Sequence, residues 1–70
     1  MAEITVFYDK VGQTLTVWFA DRSREVISEE TGHEIVLMKD RSGNVIGLEK
    51  LNFVAPDQEN LRVTFETVSL

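Results

Sequence analysis

Apolar and polar side chains alternate with period two along most of the chain. Thr14-Leu15-Thr16-Val17-Trp18-Phe19 is the cleanest run, with Leu15, Val17 and Phe19 on one face and Thr14, Thr16 and Trp18 on the other. Glu3-Ile4-Thr5-Val6-Phe7-Tyr8 repeats it, with Ile4, Val6 and Tyr8 facing one way and Thr5 and Phe7 the other. Both predict strands, because β-branched and aromatic residues suit a pleated, half-buried surface. Glu25-Val26-Ile27 predicts a shorter strand whose surrounding charges suit a sheet edge. Ser28 to Gly32 then reads as a loop, which Ser28 can open with a turn of helix and Gly32 must close.

The segment Ile35 to Phe53 predicts a hairpin. Ile35-Val36-Leu37-Met38 precedes the turn Asp40-Arg41-Ser42-Gly43-Asn44, and Val45-Ile46 follows it toward Leu48, Leu51 and Phe53. Asp40 is suited to accept hydrogen bonds from backbone amides just ahead of it, and Gly43 to take the left-handed conformation that closes such a turn. Tyr8-Asp9-Lys10-Val11-Gly12-Gln13 has the same order of an Asp, a basic residue, a Gly three positions on and a side-chain amide. Asp9 and Gly12, like Asp40 and Gly43, are therefore expected to build a turn, giving two similar hairpins.

Ala55-Pro56-Asp57-Gln58-Glu59-Asn60 reads as a linker, its proline excluding a central strand. Beyond it, Leu61, Val63 and Phe65 alternate with Arg62, Thr64 and Glu66, while Leu61, Phe65 and Val68 also share a helix face. Four β-branched residues, Val63, Thr64, Thr67 and Val68, favour the strand. The predicted fold is mainly β, a single domain over residues 1–70 forming a small antiparallel meander of five or six strands on two hairpins. The alternative is an α+β fold with a C-terminal helix. Both faces of such a sheet carry apolar groups, which calls for packing against a second copy or closure into a roll.

Composition narrows the function. Seventy residues make one small domain with little core, and with no cysteine neither a disulfide nor a thiolate metal site can reinforce it. No apolar run reaches the roughly 20 residues needed to span a bilayer, and Met1-Ala2-Glu3 lacks a basic start, so a cytoplasmic protein with no membrane partner is expected. Twelve acidic against seven basic residues give a net charge of −5, which disfavours a phosphate backbone and favours basic partners. The scattered Lys10, Arg22, Arg24, Lys39 and Arg41 form no basic stripe, and no nucleic-acid partner is expected.

No catalytic residue, metal ligand or cofactor site emerges from the residues, so an enzyme is not expected. His33 stands alone, without a nucleophile spaced for it. Glu29, Glu30 and Glu34 beside it offer at most a weak metal or ligand site, since the alternating oxygens of a calcium loop are missing. Asp9 and Asp40 each have a sufficient role as turn caps, and Gly47 inside a strand marks a bulge or a close backbone approach. Trp18, on the threonine face, and Phe7 are the candidate interface residues, because tryptophan buries a large apolar area while keeping one donor.

Tyr8-Asp9, Leu15-Thr16-Val17-Trp18-Phe19 and Gly43-Asn44-Val45-Ile46-Gly47-Leu48-Glu49-Lys50-Leu51 resemble the DUF2283 family of small microbial proteins. The family pattern is a tyrosine-aspartate turn, a leucine-rich strand and a Gly-x-hydrophobic-hydrophobic-Gly-hydrophobic-Glu stretch. The resemblance covers the first fifty-odd residues and leaves the chain from Pro56 unmatched. Gln13 stands where the family often has an acidic residue, which removes a charge pair from that turn. The resemblance implies a compact β-rich module without an assigned activity. The expected role is a homodimeric interaction module or the acidic partner of another, basic protein, the alternative being a small ligand- or metal-binding domain with a weak site near His33.

Overall fold

The computed structural model describes residues 3–55 and 61–69. Five strands, β1 (Thr5–Asp9), β2 (Thr14–Trp18), β3 (Ile27–Glu30), β4 (Ile35–Lys39) and β5 (Val45–Lys50), form one antiparallel sheet in the order β1-β2-β5-β4-β3. A 3-10 turn at Arg22–Arg24 is the only helical element among the described residues. The mainly β class and both expected hairpins are present.

Sequence neighbours pair in β1/β2, β3/β4 and β4/β5. The order of a simple meander breaks once, where β5 inserts between β2 and β4. Composition explains the placement: β5 brings Ile46 and Gly47, both buried, to the centre, whereas all of β3 is exposed and sits at an edge. That edge strand forms over Ile27–Glu30, later than the expected Glu25–Ile27, so Ser28, Glu29 and Glu30 lie in the sheet and not in a loop. An edge strand tolerates such residues because its outer side meets water. Lys39 Nζ on β4 meets Glu29 Oε2 at 2.6 Å across the pair. The Ser28 hydroxyl bonds the Glu25 carboxylate and caps no helix.

Residues 61–69 form neither a strand nor a helix. The strand favoured there is not formed, and the alternative C-terminal helix is not supported. A lone strand has no hydrogen-bonded neighbour to hold it, so alternation alone is not enough. The expected linker lies largely outside the described residues, at 56–60.

The register assigns the faces. Val6, Val17, Leu48 and Leu37 lie side by side across β1, β2, β5 and β4 on one face, joined by Tyr8 and Leu15. Thr5, Trp18, Gly47, Met38 and Ser28 form the corresponding row on the other face. Little is buried: among the described apolar side chains only Met38, Ile46 and Ala55 are, and none of the large ones completely.

Candidate functional site

The apolar face lies open. Val6 is 36% and Phe19 46% exposed. Leu15, Val17, Leu37 and Leu48 are only half-buried although β2, β5 and β4 are inner strands. One corner is covered. Phe53 packs edge-on against Tyr8 with ring centroids 5.7 Å apart, and its backbone N–H donates to the Gln13 carbonyl at 2.7 Å. The Ala55 N–H donates to the Tyr8 hydroxyl oxygen at 3.4 Å. Residues 62–69 are exposed too, Phe65 to 81%.

On the opposite face Trp18 and Met38 close over Gly47. A β-carbon at Gly47 would stand 2.7 Å from Trp18 Cε3, 2.9 Å from the Val17 carbonyl oxygen and 3.1 Å from Met38 Cε. This is the close approach that a glycine inside a strand signals. Phe7, 43% exposed, carries the Arg22 guanidinium 5.1 Å above its ring. Phe7 and Trp18 thus come together, along a groove of about 650 Å³ whose polar rim is Glu3, Asp21, Arg22 and Arg24. Trp18 takes its packing partners from within the sheet, which leaves it half-buried.

The four turn residues act where the sequence places them, by different means. Asp9 Oδ1 accepts from the N–H groups of Val11 and Gly12 at 3.1 and 2.8 Å. Asp40 Oδ1 accepts from those of Ser42 and Asn44, both at 2.9 Å. Gly43 is left-handed with φ 86°, as expected. In the first turn that role falls to Gln13, φ 59°, while Gly12 is needed because a β-carbon there would lie 2.6 Å from Asp9 Oδ2. The departure from the family pattern at Gln13 therefore sits at a position used for its backbone.

Charges brace the loops. The Asn44 N–H, chief among several donors with Arg24 3.7 Å away, holds Asp40 below the ordinary carboxylate value in spite of its burial. The Ser23 N–H, 2.9 Å from Asp21 Oδ1, does the same for Asp21 at the start of the 3-10 turn. Glu34 is lowered chiefly by Lys50 Nζ at 3.0 Å, with the Asn52 side-chain amide at 3.0 Å on its other oxygen.

The weak site near His33 does not assemble. Glu29 is paired with Lys39 and Glu34 with Lys50, His33 is exposed, and no three His, Asp or Glu side chains converge among the described residues. Asp9 and Asp40 stand at opposite ends of the sheet. No helix among the described residues is long and apolar enough to cross a membrane. Sequence reading missed the Glu34–Lys50–Asn52 brace, because it depends on the positive φ of Glu34 and Asn52, 61° and 54°, in residues that carry no glycine signal.

A small single-sheet β module, held by two aspartate-capped hairpins and bearing an open apolar face, is the class that fold and surface define. The profile of the family described as Protein of unknown function (DUF2283) matches residues 5–53, which include all five strands. The chain belongs to that family. No curated protein and no solved structure matches it.

Proposed function

We propose that the chain is a homodimeric interaction module in which two copies stack through the row Val6, Val17, Leu48 and Leu37. The observation that carries this is the open apolar face, where Val6 is 36% and Phe19 46% exposed and Leu15, Val17, Leu37 and Leu48, on inner strands, are only half-buried. Stacking two sheets about 10 Å apart gives the half-buried side chains of the inner strands the neighbours they lack in one copy. The role is binding and not catalysis, in keeping with Asp9 and Asp40 serving as separate turn caps.

Sedimentation equilibrium over a wide concentration range tests the reading. A dimer mass is expected for the chain itself, and Val17→Lys should raise the dissociation constant at least tenfold. A monomer at every concentration refutes it. A second reading rests on the exposed edge strand β3 with Glu29 and Glu30, which suits a strand from a basic partner. Association with a basic peptide that weakens as salt rises would support that reading, and salt-independent binding would contradict it.

A further inference from the structure

We infer that residues 61–68 form a sixth strand on the outer edge of β1 in a second copy of the chain. This rests on the dimer proposed above and adds to it an exchange of strands.

The two sheet edges differ. β3 is short, polar after Ile27 and blunted by two glutamates, whereas β1 offers Thr5-Val6-Phe7-Tyr8 with no lysine, proline or bulge to discourage pairing. An apolar edge of this kind takes an added strand readily. Residues 61–68 have the matching chemistry. Their alternation and β-branched residues suit a strand, yet in one copy they stay unpaired, with Val63 and Phe65 exposed.

One antiparallel register fits both faces. With Thr64 opposite Phe7, Val63 faces Tyr8 and Phe65 faces Val6 on the apolar side, and Arg62 stands opposite Asp9 on the other. Cross-strand pairs of opposite charge and of aromatic with β-branched residues are the favourable ones. A parallel pairing centred on the same residues sets Glu66 beside Asp9 instead. The chain also leaves the sheet in a suitable place. Ala55 bonds Tyr8, on the apolar face that meets the partner. From Ala55 to Leu61 the chain reaches at most roughly 20 Å, which exceeds the roughly 10 Å between stacked sheets.

The absence of cysteine allows a clean test in the full chain. Thr5→Cys combined with Glu66→Cys places two thiols opposite each other in the inferred register, within the Cα separation of about 4.4–6.8 Å that a disulfide accepts. Mild oxidation should give a covalent dimer whose linked peptides join positions 5 and 66 of different copies. The offset pair Thr5→Cys with Thr64→Cys should link at least tenfold less. Val63→Pro, which in this register removes the backbone donor that faces Tyr8 across the new pair, should raise the dimer dissociation constant at least tenfold while the sheet stays folded. A bridge within one copy overturns the exchange, and so does equal linking of the two pairs. A dimeric unsubstituted chain that gives no 5–66 bridge and is indifferent to Val63→Pro overturns the exchange alone. A monomeric unsubstituted chain overturns the dimer itself.

Discussion

Gly47→Ala tests the packing that holds the sheet's centre. Ordinarily, replacing a strand glycine by alanine stabilises by about 0.5–1 kcal/mol, because the glycine loses more backbone freedom on folding. At Gly47 the sign should reverse. The new methyl would sit 2.7 Å from Trp18 Cε3 and 2.9 Å from the Val17 carbonyl oxygen. Met38 Cε, at 3.1 Å, can yield as the end of a flexible side chain, but an indole ring and a backbone carbonyl cannot without moving β2. Overpacking of this kind costs about 1–3 kcal/mol. The whole domain holds only about 4–10 kcal/mol, at 0.05–0.15 per residue. With a urea slope near 1 kcal/mol/M for so small a protein, the midpoint should fall by about 1–3 M. Urea unfolding followed by tryptophan fluorescence, at one fixed protein concentration, reads both the stability and the ring's surroundings. An unchanged or raised midpoint would refute the packing of Trp18 over Gly47.

Other consequences follow from the turns, the charges and the open face. Gly43→Val should cost about 1–3 kcal/mol in the same unfolding assay, because a β-branched residue is strained at φ 86° although the space around it is open. Gly12→Ala should disrupt the first turn by displacing the Asp9 carboxylate; loss of amide-exchange protection at Val11 and Gly12 would show it. Asp21, Glu34 and Asp40 have lowered values in the folded chain, so their stabilisation is complete above the ordinary 3.8 and 4.5 and is lost as pH falls through the folded values. The urea midpoint should drop in that acid window, and Asp40→Asn should flatten the drop. Phe19→Lys, at a half-exposed position on the apolar face, should weaken dimerisation at least tenfold while the isolated chain keeps its strand content by circular dichroism.

The two hairpins were legible because their signals are local. Asp40 and Gly43 act within five residues of each other, and the alternation of β1 and β2 placed Val6 with Val17 and Phe7 with Thr16 on the correct faces. Strand order was not legible. The pairing of β2 with β5 joins residues more than 25 positions apart, and only the contest for the sheet's centre decides it. Glu29 and Glu30 hid the true span of β3, since two successive glutamates carry no apolar alternation and are tolerated only where one side of a strand is wet. Segment 61–69 shows the reverse: its alternation is clear, but the partner that strand pairing requires is missing from a single copy. At the candidate site, alternation alone puts Phe7 and Trp18 on one face. Of the two readings of Gly47, a bulge or a close approach, Trp18 and the Val17 carbonyl give the second, while the β4/β5 pairing shifts register beside it. What one sequence cannot show is that Trp18 meets Gly47, or that the face beneath Leu15, Val17 and Phe19 stays uncovered.

Intermolecular NOEs between isotope-labelled and unlabelled copies of the chain test the stacked dimer most directly. Methyl groups of Val6, Val17, Leu37 and Leu48 should show contacts across the labelled boundary. Contacts confined to Phe7 and Trp18 would place the interface on the other face, and the absence of any would leave the apolar face without a second copy to cover it.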